Sequence, residues 1–287
     1  MIWIDTLAQG LLLGGLYALF AAGLSLVFGI MRLVNLAHGD LIILGAYLIL
    51  TIASATGLPP FLAVLLALPV MFALGWALQT FLLNRVLGND ILPPLLVTFG
   101  LSVVIQNGLL QGFTADSQKL TAGVIEAQSM DLGLVTLGVM PVLTFASAVA
   151  VVFALNQLFY RTALGRAFRA TSDDAVTAQL MGIRPQRVFA MATGIAMIVA
   201  TIAALYLGIR ANFDPSIGPA RLLYAFEAVI IGGLGSLWGT LAGGIVIGLA
   251  QAFGAAVNPE WQILSGHLAF VLVLMIRPRG LFPRAND

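Results

Sequence analysis

Apolar residues gather into runs at roughly 7–30, 40–56, 61–83, 91–110, 135–160, 188–209, 222–237, 239–257 and 261–276. Most come near the ~20 residues a helix needs to cross a bilayer core about 30 Å thick. They are apolar all round, and longer than the ~10-residue alternating strands of a membrane barrel. The pattern therefore predicts an all-α, polytopic transmembrane helical bundle with about 8–9 membrane segments, forming a single domain over residues 1–287. Gly57-Leu-Pro-Pro60 marks a turn between the second and third segments. Pro69 and Pro141 fall inside runs and are expected to kink helices whose neighbours re-satisfy the freed carbonyls. Two places leave the count open by one: the break at 31–40, and Gly235–Gly239, which is either a true turn or a re-entrant dip.

Composition turns this pattern into a statement about solvent. Apolar residues make up 60% of the 287, and Asp, Glu, Lys and Arg only 9%. Soluble chains carry about a quarter charged residues, so most of this surface must face membrane lipid. A net charge of +1 with no basic face argues against nucleic acid as a partner. There is no cysteine, so disulfides and thiolate chemistry are excluded. Only Asp5 is charged before the first run, which lacks the basic start of a cleavable signal and is expected to stay as a helix.

Charge also orients the chain. If every run crosses once, Arg32, Arg85, Arg161, Arg166, Arg169, Arg184, Arg187, Arg277, Arg279 and Arg284 fall on one side. Lys119, Arg210 and Arg221 fall on the other. Basic loops are cytoplasmic, which puts 161–187 and the C-terminus inside. The loop from Gln111 to Gly133 and the segment 210–221 are then outside.

Three places have the chemistry for function. Asn35, His38, Gly39 and Asp40 interrupt an apolar stretch, with Asp40 where an N-cap belongs. Such a break is either a tight surface loop or a broken helix whose N-terminus faces a translocation path. The connection 161–187 holds a short helix expected over 173–181, capped by Ser172, with Asp173 and Asp174 in its first turn. Gly182 stands at its left-handed C-terminal position, and Val176 and Leu180 share a face. This helix either rests on lipid or docks in a groove on a partner. Glu227, an ionisable group in a membrane run, is a pathway candidate or an interfacial residue near Arg221; His267 is expected to pack or to hydrogen-bond between helices. The stripes Gly10/Gly14/Ala18/Ala22, Gly235/Gly239/Gly243 and Gly244/Gly248 suit close helix packing, within the chain or across a subunit seam. No G-x-x-x-x-G-K-[ST] loop, metal-ligand cluster or catalytic constellation is present, so neither an enzyme nor a bound cofactor or metal is expected.

Gly15-Leu-Tyr-Ala-Leu19, Gly23-Leu-Ser-Leu-Val-Phe-Gly-Ile30, Val34-Asn-Leu-Ala-His-Gly-Asp40, Leu164-Gly-Arg-Ala-Phe-Arg-Ala170 and Gly232-Gly-Leu-Gly-Ser236 occur in that order. Together they resemble the LivH-type permeases of branched-chain amino-acid ABC importers, over nearly the whole chain. The resemblance implies a multi-pass permease subunit in the bacterial inner membrane. It also implies a second LivM-like permease subunit, two cytoplasmic ABC ATPase subunits and an extracytoplasmic substrate-binding protein as partners. Gly165, Arg166, Arg169, Asp173, Asp174, Val176, Leu180 and Gly182 would then belong to the ATPase-coupling loop, and Asn35, His38, Gly39, Asp40 and Glu227 to the substrate pathway. Leu36, Asp40 and Glu227 depart from the family pattern. Relatives of this scaffold move urea, amides and other solutes. An ion-coupled secondary transporter is the rival from another class, and its inventory of Asp40, Glu227, His38 and His267 is thin.

Overall fold

The computed structural model describes residues 2–88, 90–131, 133 and 135–282. Asn89, Leu132 and Leu134 lie outside it, as does Arg284 of the C-terminal basic group. The helices are α1 (Ile2–Met31), α2 (His38–Thr56), α3 (Pro60–Phe81), α4 (Leu92–Phe113), α5 (Val139–Arg161), α6 (Ala163–Asp173), α7 (Ala175–Leu180), α8 (Pro185–Arg210), α9 (Gly218–Gly232), α10 (Leu237–Val257) and α11 (Trp261–Ile276). Every apolar run becomes a helix. Among the described residues, seven of these are long and apolar enough to cross a membrane; α9 and α11, with 15 and 16 residues, are shorter.

α1 is the central post. Ala18 to Ala22 are wholly enclosed, and α1 packs against α5, α8, α9 and α10. Its glycines make that possible. A Cβ on Gly14 would come within 2.5 Å of Ile245 Cα, and one on Gly244 within 2.7 Å of the Gly14 carbonyl. Gly10 and Gly14 of α1 therefore meet Gly244 and Gly248 of α10 inside this chain, while Gly239 and Gly243 lie against Gly232 and Ala228 of α9. Without a hydrophobic drive between helices in lipid, this backbone approach supplies the dispersion contacts that hold the pair. α3 runs unbroken through Pro69, while Pro141 sits in the first turn of α5, where a missing N–H removes no helical bond.

The bundle has two dissimilar ends. At one, a shared groove brings together Gly29 of α1, Phe159 of α5, Gly235 and the tail at Leu281. Asn84 donates to the Gln186 carbonyl at the same end, so the arginines at 32, 85, 161–187 and 277–279 cluster there. At the other end a short antiparallel hairpin, Ser129–Asp131 (β1) with Thr136–Gly138 (β2), covers the mouth of α5. The preceding loop is stitched to α8 by Gln118–Phe213 pairing and by Leu120 N–H donating to the Gly208 carbonyl. There Lys119 is paired with Glu126. The hairpin was not legible in the hydropathy pattern, which is silent on polar loops.

Two helices begin in the middle of the bundle. His38 reaches the Phe20 carbonyl half-way along α1, and Asp40 reaches Ser102 half-way along α4, so α2 starts at mid-depth and runs to the hairpin end. Gly218 at the start of α9 lies against Gly39 and Asp40, and α9 runs the opposite way, to the arginine end. The two N-termini meet head to head. The segment 218–221 therefore starts at mid-depth, with Gly218 buried and Pro219 and Ala220 exposed, which corrects the expectation that Arg221 lies beyond the outer end of the bundle.

Candidate functional site

Each mid-bundle start is built the same way. The Asn35 side chain accepts from Ala37 N–H at 3.0 Å and its carbonyl accepts from His38 N–H. Asp214 accepts from Ser216 N–H at 2.9 Å, and its carbonyl from Ile217 N–H. These side-chain turns let an extended chain re-enter a helix without orphaned donors. In both cases a glycine follows four positions later, Gly39 or Gly218, and those two glycines are the contact. A Cβ on Gly39 would collide with the Gly218 carbonyl, and one on Gly218 with the Asp40 carboxylate.

The side chains of the break are enclosed. Asn35, His38 and Asp40 are 4%, 1% and 1% exposed. His38 Nε2–H donates to the Phe20 carbonyl at 2.9 Å, which fixes the tautomer. Asp40 accepts from Ser102 Oγ–H at 2.5 Å and from Gln106 Nε2–H at 3.0 Å. The helix starts at His38, with Ala37 at the cap position, so Asp40 is a first-turn residue that binds α4 and not the N-cap the sequence suggested. Ser102 and Gln106 were missed. Their signal is a polar pair at i, i+4, one turn beyond Thr98, in a mostly apolar run.

Glu227, about two and a half turns along α9 from Gly218, belongs to a second polar group. Its Oε1 lies 2.5 Å from His267 Nδ1 of α11, and its Oε2 has no partner among the described residues. His267 stacks on Tyr224 with centroids 5.9 Å apart, Tyr224 lies 5.0 Å from Tyr17, and Tyr17 donates to Gln251 Oε1 at 2.5 Å. His267 is thus the interhelical hydrogen bonder expected. This relay of polar side chains ties α1, α9, α10 and α11 together.

The connection 161–187 folds as two helices. Ser172, expected as a cap, is inside α6, and its hydroxyl donates to the Gly29 carbonyl of α1 at 2.7 Å. The helix that was placed at 173–181 is α7, and Asp174 caps it by accepting from Val176 and Thr177 N–H at 2.9 and 3.1 Å. Thr177 Oγ–H also donates to Asp174, and these bonds hold its carboxyl below the usual range. Asp173, at the end of α6, is exposed, as is Arg166. Gly165 lets α6 fold onto α5, where a Cβ would collide with the Leu158 and Phe159 carbonyls. Arg169 donates to the Phe159 carbonyl, and its guanidinium lies over the Phe159 and Tyr160 rings at 5.9 and 5.3 Å. Val176, Leu180 and Met181 stand out at 71%, 83% and 80% exposure. Gly182 has φ +86°, the left-handed value expected of it, and Ile183 N–H donates back to the Ala178 carbonyl.

The chain matches the family described as "Branched-chain amino acid transport system / permease component" over residues 6–276. It is 30% identical to the high-affinity branched-chain amino acid transport system permease protein BraD of Pseudomonas aeruginosa, across 98% of this chain and 96% of that protein. LivH of Escherichia coli K12, with the same descriptive name, is 27% identical over the same shares. LivM of Escherichia coli K12 is 28% identical over 46% of this chain and 31% of its own length. No solved structure matches. With its apolar helices and its membership of a permease family, this is a multi-pass protein of the cell membrane and not an enzyme. The chain belongs to the permease-component family of branched-chain amino acid transport systems.

Proposed function

We propose that this chain is one membrane-spanning subunit of an ATP-driven importer that carries branched-chain amino acids into the cytoplasm. It would act with a second, related permease subunit, two cytoplasmic ABC ATPases and an extracytoplasmic binding protein. The observation that carries this reading is α7: a six-residue capped helix at the arginine end whose apolar side chains, Val176, Leu180 and Met181, face away from the bundle. Three such groups exposed together on one short capped helix support a partner that covers them.

The local structure suggests how a push on α7 would travel. α7 continues directly from α6 through Asp174, and α6 is bonded to α1 by Ser172–Gly29 and to α5 by Gly165 and Arg169. α1 ends only two residues after Gly29, at the break that leads to α2. Displacing α6 therefore bears on the segment that positions Asn35, His38, Gly39 and Asp40. In this reading those residues gate the path: closed, they are sealed between α1, α4 and α9; open, α2 and α9 part and expose polar groups that resolvate the carboxylate and ammonium of the cargo. Glu227, on α9, moves with them.

The test is uptake by the co-expressed complex reconstituted with its ATPases and binding protein. Leu180→Asp should assemble but lose leucine uptake and the stimulation of ATPase by loaded binding protein. Normal stimulation in that variant would remove the coupling role. Uptake of urea or short amides that leucine does not compete for would move the chain to the related small-solute branch.

A further inference from the structure

A groove of about 500 Å³ opens at the arginine end between the last turns of α1 and α5 and the turn that leads into α10. Its floor is polar, with Ser25, Asn156 and Ser236. Its walls are aromatic: Phe159, Tyr160, Trp238 and Phe282, of which Tyr160 and Trp238 are 62% and 45% exposed. No lining residue is acidic. Arg169 is not itself a lining residue, but its guanidinium lies over the rings of two that are, Phe159 and Tyr160, and is held there by its bond to the Phe159 carbonyl. Arg161 follows Tyr160 directly and Arg277 precedes Leu281 by four positions; neither has an ion-pair partner among the described residues.

We infer that this groove binds an anionic phospholipid, its phosphodiester on Arg169 and the polar floor, its acyl chain along Leu26 and Leu237. Four features converge on that ligand. The groove lies where membrane-spanning helices end, at headgroup level. Exposed Tyr and Trp mark that level. A guanidinium fixed in orientation suits a phosphate better than a mobile ammonium does, and basic pockets between membrane helices recognise anionic headgroups. The volume matches a small-molecule site and not a protein footprint. The inference requires only that the chain spans a bilayer, so it stands or falls separately from the transport reading.

Full-length chain with Trp3, Trp76 and Trp261 changed to Phe leaves Trp238 as the reporter. It would be placed in phosphatidylcholine nanodiscs doped with ~5 mol% of lipid brominated on the acyl chain. Brominated phosphatidylglycerol should quench Trp238 several-fold more than brominated phosphatidylcholine at the same fraction. Arg169→Gln should abolish the difference, and Asn156→Phe, which fills the groove and leaves the Arg169 contact intact, should do so independently. Equal quenching by the two lipids would overturn the proposal, as would an unchanged difference in both variants. Inorganic phosphate that abolishes the excess would point to a soluble phosphate ligand instead. Loss of quenching once the ATPases and second permease are bound would show that a protein segment owns the groove. Either result removes the lipid site.

Discussion

Gly39→Ala adds one methyl group, and its consequence can be worked out from the head-to-head contact. The new carbon would lie 2.8 Å from the Gly218 carbonyl carbon and 2.9 Å from Leu222 N, and closer still to the Gly218 oxygen, where ordinary contact begins at 3.4 Å. All three obstacles are backbone, so no side chain can swing aside. Relief requires α2 and α9 to separate, which also pulls Asp40 off Ser102 and Gln106. Overpacking of this kind costs about 3 kcal/mol, the upper end of the usual range. At roughly 2–3 °C per kcal/mol for a chain of this size, the loss corresponds to a fall of roughly 6–9 °C in melting temperature. The assay is thermal unfolding of detergent-solubilised protein followed by size-exclusion chromatography. Gly108→Ala makes the identical chemical change in α4 where nothing lies within 4 Å, and should leave the melting temperature unchanged or slightly raised. If the two variants melt together, α2 and α9 do not meet as described.

Other expectations follow from particular contacts. His267→Leu should destabilise by ~1–3 kcal/mol because it strands the enclosed Glu227 carboxyl; the double change with Glu227→Leu should be milder than the single one, measured by the same melting assay. Gly182→Val places a β-branched residue at φ +86° and should leave an assembled complex whose ATPase ignores loaded binding protein. Asp174→Ala should impair uptake and Asp174→Asn restore it, since the cap needs acceptors more than charge. Because its folded pKa is depressed, the Asp174 contribution is complete above the ordinary carboxylate pKa and lost only as pH falls through the lower folded value. Coupling should therefore show no pH dependence from this group between pH 5 and about 8.

How far the sequence discloses this molecule depends on the range of the interaction. Run positions, the Gly182 turn and the glycine stripes were legible, because each is written in local composition or spacing, although not which helices the stripes would join. The mid-bundle start of α2 was legible only as one of two readings of the break, and that of α9 was not legible, because hydropathy records how apolar a segment is and carries no depth. Asp40 looked like a cap because its true partners, Ser102 and Gln106, lie more than sixty positions on. Ser172 and Asp174 are both good caps by type; the choice fell to Asp174 because the Ser172 hydroxyl is taken by the Gly29 carbonyl, 143 positions away. For Glu227 the sequence offered a lone carboxylate, while the fold supplies His267 across forty positions.

The same long separations impose an order on biogenesis. When α2 leaves the ribosome it carries a carboxylate and an imidazole, and the hydroxyl that satisfies Asp40 is still 62 residues from being made. At about 5–20 residues per second, the wait lasts about 3–12 s, and α9 emerges later again. During that interval α2 is a poor client for lipid, so it is expected to linger at the insertion machinery, or against α1 where His38 already has its carbonyl, until α4 arrives. A ribosome stalled between α2 and α4 would thus leave an unsealed segment for membrane proteases to find, and the polar lock at the centre of the bundle doubles as a checkpoint on whether the chain was finished.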